Sequence, residues 1–200
     1  MSRTVFAVDD LLDAARSCVL AEGVRKTTVA AVARRSGAPV GSIYHRFAGI
    51  DDVLAGAWIR AVSRSQAGVG EVDTSDLARA DVAAALAVAS FDFCLRHPDD
   101  VRLLERLTRR DVLGLKLSPA TLDQVREVDE RSMALMGAAA RRLGDDGLST
   151  TALVVIELPQ TFARSALAAA DTVELDARRR QLDAAVRAVI ATVTSARSGP

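Results

Sequence analysis

Apolar side chains recur at helical spacing along most of the chain, and Gly, Pro or Asp pairs fall between the runs. Residues 1–8 read as a frayed end. Asp9 or Asp10 can then cap a helix to Glu22, with Leu11, Leu12, Ala15, Val19 and Leu20 on its inner side and Gly23 as its stop. Val29, Val32, Ala33 and Ser36 fall at i, i+3, i+4 and i+7, one small face of a two-turn helix. Thr27 and Thr28 stand before it, where either hydroxyl can take a free N–H. Gly37 follows, suited to left-handed backbone. Pro39 favours the start of a second, short helix, whose inward side is Ile43 and Phe47. Asp51 and Asp52 open a helix to about Gln66, with the stripe Val53, Leu54, Ala57, Trp58, Ala61 and Val62.

The stretch Ala67 to Ser75 has two glycines and no period, so it reads as a loop. A helix is expected from Asp76 to His97, stopped by Pro98. From Val82 to Ala89 it carries no polar residue, the mark of a helix buried on all sides. The next runs from Pro98 or Asp99 to about Asp111, with Arg102, Arg106, Arg109 and Arg110 on a solvated side. Ser118-Pro119 starts another, carrying Leu122, Val125, Val128, Met133, Met136 and Leu143, and Gly144 to Gly147 breaks it. Two remain: about Ser149 to Ala170, kinked where Pro159 removes a hydrogen bond, and about Leu175 to Arg197, before a loose tail at 198–200. No strand period, repeat or low-complexity segment occurs. The chain is expected to be all-α, with about nine helices.

Two short helices joined by a Gly-containing turn form a helix-turn-helix, whose second helix is built to enter a major groove. Net charge is zero over the chain. From Gly23 to Ile50, however, Arg25, Lys26, Arg34, Arg35 and Arg46 stand with no acidic residue, an electrostatic footprint for phosphate. Thr27 and Thr28 can offer hydroxyl and backbone donors at a helix start. Gly41 is a poor helix residue that lets the backbone approach closely. His45 and Arg46 lie on the outer side, and Arg is the commonest reader of guanine.

Gly23, Thr27-Thr28, Val32-Ala33, Ser36-Gly37, Gly41-Ser42-Ile43-Tyr44 and Phe47 resemble the N-terminal signature of the TetR family of regulators. The match covers about the first quarter of the chain; the rest is similar in length and helical character alone. The resemblance implies a three-helix DNA-binding head at residues 1–50. It also implies an effector-binding and dimerisation domain at 51–200, with helix 51–66 shared. It implies a DNA-contact set of Thr27, Thr28, Pro39, Val40, Gly41, Ser42, Tyr44, His45 and Arg46, in which the Tyr44 hydroxyl meets the phosphate backbone. One position departs from the family. Three residues past Phe47, where a Lys usually meets phosphate, stands Ile50.

The remaining chemistry is sparse. His45 and His97 are the only histidines and have no metal spacing around them. There is no phosphate-binding Gly loop and no nucleophile elbow, so no enzyme, metal or cofactor is expected. Asp99-Asp100 and Asp145-Asp146 sit in expected turns, where Asp is ordinary. Cys18 and Cys94 lie in apolar helical runs and read as buried thiols. No signal peptide or membrane span is visible, so a soluble cytoplasmic protein is expected.

The expected function is that of a homodimeric regulator on a pseudo-palindromic duplex operator, most simply a repressor released by a small, mostly apolar effector. An activator or partner-gated regulator is the alternative, as is a helical small-molecule-binding protein whose DNA head has lapsed. Effector candidates are Trp58, Phe91, Asp92, Phe93, Cys94, Leu104, Leu107, Met133, Met136 and Phe162. Each is equally suited to plain core, and Asp92 to an i, i+4 pair with Arg96. The last two helices would pair across a two-fold axis through Val155, Pro159, Phe162, Ala166, Leu182, Val186, Val189, Ile190 and Val193.

Overall fold

Helix α1 (Val8–Glu22) starts one turn earlier than its acids suggest. Asp10 is not its cap; from inside the first turn its carboxylate accepts the Ala7 N–H at 3.2 Å. The computed structural model describes residues 7–169 and 172–197. Most of the frayed end, the 198–200 tail and Ala170 therefore lie outside the described residues. Those described are all-α, with no strand. After α1 and one 3-10 turn (Val24–Lys26) come α2 (Val29–Ser36), α3 (Val40–Tyr44) and α4 (Ile50–Gly70). Then follow α5 (Arg79–Arg96), α6 (Pro98–Arg106), α7 (Arg109–Leu113) and α8 (Pro119–Leu143). The chain ends with α9 (Ser149–Ala152), a π turn (Leu153–Glu157), α10 (Leu158–Ala169) and α11 (Thr172–Arg197).

Further boundaries differ from the sequence expectation. Helix α4 continues through Ala67, Gly68 and Val69, so the loop moves to residues 71–78. Gln66, expected at the helix end, is buried, and its amide donates to the Ser132 hydroxyl at 2.7 Å. A Cβ on Gly68 would lie 3.8 Å from Arg96 and 4.0 Å from Phe93, ordinary contact distances, so α5 runs alongside the helix at this glycine. The helix expected from 98 to 111 is two helices. The Thr108 hydroxyl accepts the Asp111 N–H, and the Asp111 carboxylate accepts the Thr108 N–H at 2.9 Å, a capping box that starts α7. The break expected at Pro159 takes the form of the π turn directly before α10, where wider turns accommodate the missing N–H.

The chain divides into two compact units, Met1–Ser63 with Pro98–Asp129 and Arg64–His97 with Glu130–Pro200. In the first, α1 buries Leu11, Ala15 and Val19 with Val32 of α2, Ile43 of α3, Val53 and Trp58 of α4, and Leu103 of α6. Each such side chain contributes about 1.5–3 kcal/mol on full burial. Gly56 belongs to this packing, since a Cβ there would meet Leu12 at 3.1 Å. Ion pairs fix α1 from outside. Arg16 pairs with the buried Asp100 of α6, and Arg60 of α4 reaches Asp9 at 2.9 Å and Asp13 at 2.5 Å. Arg106 donates to the carbonyls of Val19 and Leu20 at the negative end of α1.

In the second unit α5 packs against α10, α11 and the π turn. Val82, Ala83, Leu86, Ala87, Phe91 and Phe93 are buried, whereas Ala85, Val88 and Ala89 are half-buried. The burial on all sides expected for α5 is thus incomplete on one face.

Asp52, 3 % exposed, links two turns of the first unit. One carboxylate oxygen accepts the Ala48 N–H at 3.1 Å and the other the Ser118 N–H at 2.9 Å. Burial pushes this carboxyl up, but the Ser118 N–H and hydroxyl, the Ala48 N–H and the Thr121 hydroxyl outweigh it and hold the group below the usual range. A depressed native value contributes stability that is present above the unfolded pKa, about 4, and is lost as pH falls through the native one. Urea midpoints measured at pH values above and below that point should differ less for Asp52→Asn than for the wild type. An equal acid loss in both would remove Asp52 from the balance.

Candidate nucleic-acid interface

The head places its two threonines differently. Thr27 is buried, and its hydroxyl donates to the Gly23 carbonyl at 3.0 Å. Thr28 is exposed and caps α2 by accepting the Ala31 N–H at 3.1 Å. Its hydroxyl hydrogen stays available to a phosphate. Gly37 is left-handed at φ 73°, which closes α2. The Ser36 hydroxyl accepts the Ala38 N–H across the same turn at 3.2 Å.

Helix α3 is seated by Ile43, which is fully buried, and by Phe47, packed on the same core. Its outer face follows from that seat. Val40 is 44 % and Tyr44 57 % exposed. Pro39, Gly41 and His45 are also exposed, and Ser42 is half-buried. The Arg46 guanidinium turns back to donate to the Ser42 carbonyl at 3.1 Å. All five cations between Gly23 and Ile50 are exposed. Ile50 is half-buried and packs against the head core. A Cβ on Gly41 would meet nothing within 4 Å, and its backbone is ordinary helix, so the fold does not require glycine there.

The effector candidates are spread over both units. Trp58, Leu104 and Leu107 belong to the core of the first. In the second, Phe91, Phe93 and Cys94 are buried, Met136 and Phe162 half-buried, and Met133 57 % exposed. The Asp92 carboxylate pairs with Arg179 of α11 rather than Arg96, which instead donates to the Asp92 carbonyl. An open groove of about 550 Å³ lies along the half-buried face of α5. Ala84, Ala85, Val88 and Ala89 line it with Leu77, Asp81, Asp92, Asp183 and Arg187, so Asp92 alone comes from the expected set. Arg187 bridges Asp81 at 2.7 Å and Asp183 at 2.8 Å, and both carboxylates push its pKa up.

Most of the residues expected to pair two chains are packed within this one. Val155, Pro159, Ala166, Leu182, Val186 and Ile190 are buried within this chain, and Phe162, Val189 and Val193 are half-buried. Their stripe covers α5. The outward faces of α10, α11 and the π turn carry Ile156, Leu167, Ala184 and Ala188 instead.

Residues 11–57 match the sequence model for bacterial regulatory proteins of the tetR family. The chain carries a TetR-family head on a TetR-like fold. Among similar solved structures is a putative tetR family transcription regulator from Shewanella sp. PV-4. It has TM-score 0.66 and 15 % identity, over 92 % of this chain and 96 % of that one. FadR from Bacillus subtilis, in complex with stearoyl-CoA, has TM-score 0.61 and 12 % identity over 90 % and 97 %. SmeT, repressor of the Stenotrophomonas maltophilia efflux pump SmeDEF, has TM-score 0.57 and 20 % identity over 93 % and 89 %. No curated protein sequence matches the chain. The matched family model is that of a DNA-binding regulatory domain. Among the described residues no helix is long and apolar enough to cross a membrane.

Gly41→Ala separates folding from DNA approach. It should raise the unfolding free energy by about 0.5–1 kcal/mol, because alanine suits a helix interior better, while weakening duplex binding. Unchanged DNA affinity in the stabilised variant would show that the backbone at Gly41 stays clear of the groove.

Proposed function

We propose that the chain is a homodimeric transcriptional repressor of a pseudo-palindromic operator, released by a small, mostly apolar effector. The observation that carries this reading is the outer face of α3. Val40, Gly41, Tyr44 and His45 stand exposed on a helix seated by Ile43, amid five exposed cations. Phosphate contacts would come from Thr28, Tyr44 and the α2 start, and base contacts from Val40, Gly41, Ser42, His45 and Arg46. Thr27 supports the turn through its bond to Gly23.

The effector is assigned to the second unit, within the 51–200 domain. The Ala and Val floor of the α5 groove suits an apolar body, and its Asp and Arg rim would orient polar ends. Ligands of this kind release DNA only by favouring the conformation that does not fit it. SmeT, a repressor, and FadR, solved in complex with stearoyl-CoA, are in keeping with such a scheme.

Selection of bound duplexes from random DNA tests the whole reading. A pseudo-palindrome with half-sites about one helical turn apart is expected. Binding should weaken as salt rises. Tyr44→Phe should cost about 1 kcal/mol on every sequence alike, the worth of one hydrogen bond. Failure to enrich any duplex at low salt would end the proposal.

Dimerisation is assigned to the outward faces of α10, α11 and the π turn. Ile156→Glu with Leu167→Glu should give a folded monomer in sedimentation that no longer holds the full operator. Val186→Glu is the contrasting change. Val186 is fully buried within the chain, so a carboxylate there costs several kcal/mol and should lower thermal stability first. A dimer that persists in the double variant would move the interface elsewhere.

A further inference from the structure

The α4 start carries two acids close to the helix-turn-helix. Asp51 and Asp52 stand in its first turn, one and two residues past Ile50. Neither carboxylate is free. Asp51 accepts the Lys116 N–H at 2.9 Å, and Asp52 accepts the N–H groups of Ser118 and Ala48. The loop between α7 and α8 is therefore fastened by its main chain beside the turn that leaves α3. Ala48 and Ser118 sit on the two oxygens of one carboxylate.

Lys116 projects from that loop. It is exposed, and with Lys26 it is one of two lysines in the chain. Its N–H bond to Asp51 brings the two Cα atoms within roughly 8 Å, by standard bond lengths. Ile50 is one Cα step, about 3.8 Å, from Asp51. The Lys116 and Ile50 Cα atoms thus lie within roughly 12 Å of each other, and a flexible lysine stem spans about half of that. A phosphate lying between the two positions is within reach of the Lys116 ammonium, whereas position 50 itself offers a half-buried isoleucine and no cation.

We propose that Lys116 makes a phosphate contact from outside the helix-turn-helix, in place of a cation at position 50. The loop is a DNA-contacting element, and Asp51 positions it. The inference rests on the DNA-binding reading above. A point charge on a flexible stem meets phosphate without reading bases, so the contact adds affinity and not sequence preference.

The test uses the full chain, a duplex enriched by the wild type, and an unrelated duplex of equal length, with anisotropy measured over a salt series. Lys116→Gln should weaken both duplexes by a similar factor, roughly three- to tenfold, and reduce the salt slope by about 0.9 for each phosphate lost. Lys116→Arg should keep the slope. Thermal melting should not change, because the main-chain bond to Asp51 remains. If Lys116→Gln leaves affinity and slope unchanged while Tyr44→Phe still loses binding, the loop lies off the DNA, the inference is overturned and the regulator reading stands. If the wild type enriches no duplex, both fall together.

Discussion

One buried carboxylate decides how the first unit is arranged. Asp52 begins as an ordinary acid in the first turn of a helix, where the dipole favours it. Its burial would be costly if its oxygens met no donors. They meet the Ala48 and Ser118 N–H groups, which come from turns 70 residues apart in sequence. Those two groups would otherwise lack partners where the chain reverses. The same bond that satisfies the α3–α4 turn therefore fixes the loop before α8. The position of α3 thus depends on a segment far outside the helix-turn-helix.

The ion pairs around α1 extend this dependence. Arg16 and Asp100 form a pair in which the acid is almost fully buried. Such a pair is weak support for stability, because desolvation offsets much of the attraction. Losing one partner is costly, and the need to keep both in register makes the pair directional. Arg106 at the far end of α1 and Arg60 near its start act on the same helix. Helix α6 is thereby held to the head by charge as well as by Leu103. It also follows α5 in the chain with only His97 between them.

The head was legible because its signals are local. Thr28 caps, Gly37 turns and Ile43 points inward, each determined by residues within one turn. The capping box of Thr108 and Asp111 was equally local, and its spacing was present in the sequence beside a run of arginines. Distant pairings were not legible. Nothing near Asp100 indicates Arg16, and nothing near Asp92 indicates Arg179 over its neighbour Arg96. Gly68 and Gly70 suggested a break because glycine is a poor helix residue, yet the helix continues through both, Gly68 beside Phe93 and Arg96 and Gly70 beside Leu135.

The α10 and α11 stripes show a more general limit. A helical run of apolar residues says that one face is buried, and leaves open whether its cover is the same chain or another copy. Here the answer comes from α5. Its run from Val82 to Ala89 has no polar side, so it needs cover from more than one helix. Val155, Ala166, Leu182, Val186 and Ile190 provide that cover and are used up by it. What remains for a second chain is the weaker pattern behind them, Ile156 and Leu167 with the alanines of α11. Small side chains let helices approach closely, so two large apolar residues among alanines can still form a close-packed contact. A two-fold axis presents each of them twice. The stronger stripe in the sequence marks the core of this chain, and the proposed contact with a second chain falls to the fainter one.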